Sequence, residues 1–475
     1  LDPNTPTSEQ GVRVSILNAV LDRKDNRTAY PDGAADSVAE VQALHDAVQA
    51  VLRTAKGDTP KVTDTQLKLL GFSTVAEGDI TADTLSAIQQ VLINTYTASS
   101  DFTGLNTLAK IETLTKNAID ALNGIEDAAD NNAGTTTTLG VDTTAGLTKT
   151  DFAAMGVSTV TDSGTGSANN LAIVLSVLDS TAITAAEVTT YEQVQAIVDS
   201  VNAILTYVET GATAPKISDL TTLGLTDITT VDQLTLMNSY LNDSNTAVTD
   251  IDSYDELQAR LTAVNHIRAD AAIADRSGID AAVTAGDSYD TDDTDLAVLG
   301  FTYDESSALV SSGTALADIT DKNIDAIRLA IANSANDLSE LQTFGALKTL
   351  IEDTAKAANT IQAYSAATSE TIGSLPVPTE DDYTAIGVAG VTSLNVAAIN
   401  SSLAETGVLD TISASVAAEA QNIVNTWAKI EALADGEVDT YKVIAGGTAA
   451  LLGTYLDTTE YTVTASDKNN SSAGS

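Results

Sequence analysis

An apolar-Gly-apolar step recurs along this chain and constrains its fold more than any other feature: Leu70-Gly71-Phe72, Met155-Gly156-Val157, Leu223-Gly224-Leu225, Leu299-Gly300-Phe301 and Ile386-Gly387-Val388. Successive glycines lie 85, 68, 76 and 87 residues apart, a loose period of roughly 80. Self-similarity at such a period marks arrays in which each unit buries its apolar face on its neighbours. A short segment ends at each glycine, opened by Thr63-Asp64, Thr150-Asp151, Ser218-Asp219, Thr294-Asp295 or Thr379-Glu380. These residues predict a helix of one to two turns: a hydroxyl satisfies the first amides, an acid sits at the positive end, and glycine takes the left-handed position past the last turn.

A second apolar run follows each glycine, with helical spacing: Leu85-Ile88-Leu92, Leu171-Val174-Leu178, Leu234-Met237-Leu241, Ile324-Ile327-Ile331 and Val396-Ile399-Leu403. A third segment carries a stripe three or four residues apart, as in Val41-Leu44-Val48-Val51, Val194-Ile197-Val201-Ile204, Leu257-Leu261-Val264-Ile267 and Leu341-Phe344-Leu347-Ile351. Such stripes give a helix one buried face. A glutamine stands near the start of these segments, at Gln42, Gln195, Gln258, Gln342 and Gln421, with Asn106 filling the remaining slot. These amides read as exposed residues near the helix start; the alternative is an inter-helix hydrogen bond to a loop carbonyl that fixes neighbouring units in register.

The expectation is therefore an all-α chain, a tandem array of about six diverged three-helix repeats forming an elongated rod, with a short β segment at the C-terminal end around Thr462-Val463-Thr464. The boundaries fall at 1–62 for an incomplete first repeat, then 63–148, 149–217, 218–291, 292–378 and 379–445, with 446–475 a partial repeat and polar tail. Alanine takes the place of aromatic residues in the stripes, so helices approach closely but bury less area each, and contacts between neighbours must supply much of the cooperativity. The first repeat opens on a capping box, Thr7-Ser8-Glu9-Gln10, and lacks a Leu-Gly step, while Leu452-Gly453 restarts the pattern near the other end. These complementary ends suggest head-to-tail association of copies, or completion by an upstream stretch of a longer polypeptide; the plainer reading is that both ends are atypical caps.

The charge balance excludes partners. With 22 Lys and Arg against 66 Asp and Glu, the net charge is −44, which repels nucleic-acid backbones and anionic lipid. No apolar stretch approaches the ~18 residues of a membrane span, and the absence of cysteine removes disulfides, thiolate zinc sites and cysteine nucleophiles. The first residue is Leu1 rather than Met, which suits removal of a signal peptide or excision from a longer polypeptide. A strongly acidic surface stays hydrated where salt screens its self-repulsion, so an extracellular, saline or calcium-rich setting is expected.

Segments such as Asp382-Tyr-Thr-Ala-Ile-Gly387-Val-Ala-Gly-Val-Thr-Ser-Leu-Asn395-Val-Ala-Ala-Ile-Asn400 and Val38-Ala-Glu-Val-Gln42-Ala-Leu resemble the Ala/Thr/Asp-rich helical repeats of very large bacterial cell-surface and secreted adhesin-like proteins. The resemblance runs from about Val14 to Gly453 and implies a spacer or surface-assembly role with no catalytic residues to transfer. The long insertion between Gly300 and Asn323 departs from the pattern.

Acidic clusters are the candidate ligand sites. Asp290, Asp292, Asp293 and Asp295 place four carboxylates in six residues, and Asp250, Asp252, Asp255 and Glu256 form a second group. Calcium takes six to eight hard oxygens, so both are candidates for it, although neither has the turn glycine and terminal glutamate of an EF-hand. The plainer reading is capping of helices and solvation of loops. His45 and His266 are isolated from any other histidine and read as surface or partly packed residues. Trp427 shares the apolar register of Ile423, Ile430 and Leu433 and reads as core filling. Asn26-Arg27-Thr28, Asn242-Asp243-Ser244 and Asn400-Ser401-Ser402 match the glycosylation pattern. No nucleophile elbow or phosphate-cradling loop is present. The sequence thus points to a non-enzymatic extracellular structural protein, the subunit of a head-to-tail filament or an adhesin stalk, with a calcium-dependent surface-layer or matrix protein as the alternative.

Overall fold

A computed structural model describes residues 7–23, 35, 37–130, 146–163, 169–271, 291, 293–301, 319, 323–334, 341–367, 371–404, 416–434, 440–442 and 460–462. The described chain is mostly helical. Two helices come first, α1 (Thr7–Asp22) and α2 (Val38–Ala55). Five triplets follow, each running short, intermediate, long. They are α3 (Asp64–Lys68), α4 (Ala82–Ser99) and α5 (Leu108–Asp130); α6 (Lys149–Ala154), α7 (Leu171–Leu178) and α8 (Tyr191–Thr210); and α9 (Ile217–Thr222), α10 (Val231–Leu241) and α11 (Tyr254–Ala271). The last two are α12 (Asp293–Val298), α13 (Ile324–Asn333) and α14 (Phe344–Ser365), then α15 (Glu380–Ala385), α16 (Val396–Leu403) and α17 (Val416–Ala434). Beyond them, β1 (Thr440–Lys442) and β2 (Glu460–Thr462) pair antiparallel with Thr440 opposite Thr462. Val463, Thr464, Leu452-Gly453, Asn26-Arg27-Thr28 and most of the insertion after Gly300 lie outside the described residues.

The short helices end as their sequence requires. All five signature glycines have positive φ. At four of them the amide of the next residue reaches back five positions, Val157 to Phe152 O, Leu225 to Leu220 O, Phe301 to Leu296 O and Val388 to Tyr383 O, while the glycine amide bonds three positions back. This double closure is the Schellman arrangement, and the apolar residues at its two ends sit together over the turn. The starts shift in three places, one of them α12, which begins at Asp293 and so takes in Thr294 as a helical residue. The cap of α6 is Thr148 rather than Thr150, with Asp151 accepting the Thr148 amide at 2.7 Å, and α9 opens at Lys216, whose amide donates to Asp219 at 2.7 Å. A carboxylate in the third helical position does the capping that the hydroxyl-acid pair was expected to do.

The chain divides into two compact units, one of residues 1–228 with 244–258 and the other of 229–243 with 259–475. In the first, α1 packs on α2, α4 on α5 and α7 on α8. Its core is aliphatic, with Leu44, Val48, Val51, Leu70, Ile88, Leu122, Val174 and Val201 all buried. In the second, α13 packs on α14 and α16 on α17. There Tyr383, Ile386, Val388, Ile399, Leu403, Val416, Ala420 and Val424 form one buried cluster together with Ala326, Leu329, Ala358 and Ile361 from α13 and α14. Alanines on α14 and α17, among them Ala355, Ala358, Ala417 and Ala420, are buried.

Candidate functional site

Successive helix triplets meet through side chains and backbone at recurring places. Two contacts recur there. The long helix of one triplet packs on the short helix of the following one, as α2 on α3, α5 on α6, α8 on α9 and α14 on α15. The intermediate helix of one triplet also meets the long helix of the next, as α1 with α5, α4 with α8, α10 with α14 and α13 with α17. At three such places a serine hydroxyl accepts the first amide of the long helix: Ser86 from Tyr191 at 3.0 Å, Ser176 from Tyr254 at 2.9 Å and Ser239 from Phe344 at 2.8 Å. Helix-start amides have no intrahelical acceptor, so a neighbour's hydroxyl satisfies a group that would otherwise need water. Ser176 and Ser239 hold the same register, two residues after Val174 and Met237; Ser86 sits one turn earlier.

Glycine matters at this seam for space as well as conformation. Gly224 has φ of +80°, and a Cβ there would lie 2.4 Å from Ala182 Cβ of the preceding triplet. At Gly156 a Cβ would lie 2.8 Å from Gln90 Cγ, and the Gly156 carbonyl accepts from Asn94 Nδ2 at 2.7 Å. The Gly71 carbonyl likewise accepts from Arg23 Nη1 at 3.1 Å.

The glutamine slot is a loop clamp. Gln195 donates to Thr159 Oγ1 at 3.2 Å, Gln258 donates to Asp227 at 2.8 Å, and Gln421 takes the Ala389 amide at 2.8 Å and returns a bond to its carbonyl at 3.1 Å. Each receiving residue lies two or three positions past a signature glycine, so these exposed amides also fix the loop leaving the short helix. Asn106 does not fill the remaining slot. Counting five residues from the helix cap gives Gln42, Gln195 and Gln258, and in α5 it gives Glu112. Gln342 is likewise out of register, because it precedes Thr343, the cap of α14.

Glu112 is the most heavily engaged carboxylate described. It is buried, and its Oε1 accepts the amides of Ser73 and Thr74, both at 2.5 Å, and both their hydroxyls at 2.9 Å. Arg23 Nη2 pairs with Oε2 at 2.6 Å. Burial alone would raise its pKa, but the Arg23 guanidinium and the loop donors outweigh that and hold it down at about 2. Glu419 on α17 is the opposite case: one carboxyl oxygen is buried with no donor, and burial lifts the group to about 7.

Polar residues that periodicity did not single out pin the intermediate helix to the long one. Buried Asn170, which precedes α7, accepts the Thr161 amide at 2.8 Å and donates to Asn202 Oδ1 at 2.5 Å. Asn323 donates to Asn359 at 3.0 Å, and Gln233 to Asn265 at 2.8 Å. Asn400 is buried, takes the Tyr383 hydroxyl at 2.7 Å and donates to Pro378 O at 2.7 Å, which places this glycosylation-pattern asparagine inside the core.

The acidic clusters fare differently. Asp290 and Asp292 lie outside the described residues, and only the backbone of Asp293 is described. Asp295 is buried at the start of α12 and faces His266 Nδ1 of α11 at 2.7 Å, so this histidine has a partner that sequence did not reveal. In the second group, Asp250 caps the Ala247 amide at 2.7 Å and Glu256 accepts the Asp252 amide at 3.0 Å. Among the described residues no set of three or more His, Asp or Glu is arranged to hold a metal ion. His45 lies on α2 beside Asp46 at 3.2 Å. Trp427 is half-buried, and its indole nitrogen is buried without an acceptor.

An open depression of about 630 Å³ lies beside Gly224, lined by Ala182, Ile183, Glu187 and Gln193 among others. Its long polar side chains are already engaged, Glu187 by the Thr184 amide at 2.8 Å and Gln193 by the Thr190 amide at 3.0 Å. No helix among the described residues is long and apolar enough to cross a membrane. Comparison with known protein families, characterised proteins and solved structures finds no match.

Proposed function

We propose that the chain is a non-enzymatic extracellular spacer, a filament subunit or adhesin stalk in which helix triplets stack in tandem into a rod. The observation behind this reading is the threefold recurrence of one contact, a serine of the intermediate helix receiving the first amide of the next triplet's long helix. A contact between successive copies of a unit propagates along the chain, and length is what it produces. The loop clamps and buried asparagines hold each triplet to its own geometry, so reach is set by stacking. A net charge of −44 keeps the surface hydrated and resists lateral collapse.

Negative-stain electron microscopy of purified protein tests the reading, with and without a calcium chelator. Slender particles or filaments insensitive to chelator are expected. Planar arrays that dissolve on chelation would favour the calcium-dependent surface layer instead, and round particles of uniform width would refute both.

A further inference from the structure

Among the described residues, two helix faces carry one half each of the contact repeated inside the chain and leave it uncovered, and we propose that they join separate copies of this protein. This rests on the stacked-triplet reading and names the surfaces through which the copies meet.

The first half is the N-terminal end of α2. Where a long helix receives the intermediate helix of a preceding triplet, its fourth residue is covered and its first is covered or half-buried: Tyr254 and Leu257 are 9% and 2% exposed, Phe344 and Leu347 are 4% and 0%, and on α8 Val194 is 1% exposed with Tyr191 half-buried. On α2 the equivalent residues are Val38 and Val41, at 88% and 37%. Two valines in this position form an apolar face of the kind that is covered or half-buried at the other described seams. The second half is α16. Ser401 holds the register of Ser176 and Ser239, two residues after Ile399, yet it is exposed and its hydroxyl turns back to Ala397 O at 2.9 Å. Leu394, just before this helix, is 93% exposed.

The occupant of each half is the other half, borne by a second copy. The internal seams show which chemistry fits: a small hydroxyl on an intermediate helix against the first amide and the covered apolar residues of a long helix. A face of one kind meeting a face of another is a heterologous contact, and it propagates as a chain of subunits when the rotation does not close.

The protein has no cysteine, so a pair of introduced thiols reports this contact cleanly. The full chain carrying Val38→Cys and Ser401→Cys is treated with a short thiol-to-thiol cross-linker and resolved by denaturing electrophoresis. A ladder of covalent trimers and longer species is expected from the double variant, with nothing beyond dimer from either single variant. Adding Val41→Asp is expected to weaken association at least about tenfold and remove the ladder, since it forces a charge into an apolar seam. Its helix content by circular dichroism should not change, because position 41 is partly exposed in the single chain. A double variant that stays monomeric, or gives only an internal cross-link with faster mobility, overturns the docking proposal. Small-angle scattering of the same monomers separates that failure from failure of the spacer reading: extended particles without a ladder leave the spacer standing, and compact particles without a ladder remove both.

Discussion

Glu112 on α5 and Glu419 on α17 are glutamates withdrawn from water on long helices, one in each compact unit, and their surroundings drive them in opposite directions. Glu112 sits where two loop amides, two hydroxyls and Arg23 converge, and its pKa falls to about 2. Glu419 has a buried oxygen with no donor, and burial raises its pKa to about 7. The lesson is that burial of a carboxylate is neither stabilising nor destabilising by itself; the donors supplied decide. The Gln421 clamp adds a third solution to the same positional problem, because a neutral amide holds its loop through two bonds without charge.

The largest effect that can break this comparison is expected from Glu112→Ala, which strands Arg23 and four loop donors and should cost about 3–5 kcal/mol in the first unit, read from its denaturant transition. A loss below about 1 kcal/mol would show that the donors are as well served by water. Next is a steric contrast between the units. Gly224→Ala drives a Cβ into Ala182 at positive φ and should cost about 2–4 kcal/mol, whereas Gly300→Ala meets nothing within 4 Å and should cost only about 1 kcal/mol for its backbone. Equal losses at the two glycines would mean that the seam relaxes.

The pH responses sharpen the pair further. Glu112 has a folded pKa below its ordinary 4.5, so its contribution is full above that value and is lost as pH falls from about 4.5 towards 2. Glu419 has a raised folded pKa, so its contribution is full below 4.5 and is lost as pH rises through about 7. Glu419→Gln should therefore make the second unit about 2 kcal/mol more stable at pH 8 relative to wild type, with little difference at pH 4. A parallel pH profile in variant and wild type would contradict the assignment. The smallest effect is Gln421→Ala, about 1 kcal/mol, visible as faster amide exchange at Ala389 before any change in global unfolding.

Much of this was legible in the chain because it is local. The left-handed glycines at Gly71, Gly156, Gly224, Gly300 and Gly387 follow from a residue type and its neighbours. The triplets follow from apolar spacing in the same way. Boundaries slipped where two chemistries compete for the cap, as at Thr148 against Thr150, since Asp151 serves either start. The glutamine slot was visible at Gln195, Gln258 and Gln421 but hidden at Glu112, where a different residue type does the work from the same register. The seam serines, Asn170, Asn323 and the His266–Asp295 contact were not legible at all. Each depends on a partner 29 to 105 positions away, and no periodicity distinguishes a serine that meets a helix start from the many that face water.

If stacked triplets turn chain length into reach, small-angle X-ray scattering on the monomeric Val41→Asp chain at moderate salt reads that reach directly. A single globule of this length would have a radius of gyration of about 23 Å. Stacking in tandem requires a value well above that and a maximum dimension of more than ~100 Å. A radius near the globular value, with a symmetric distance distribution, would contradict it.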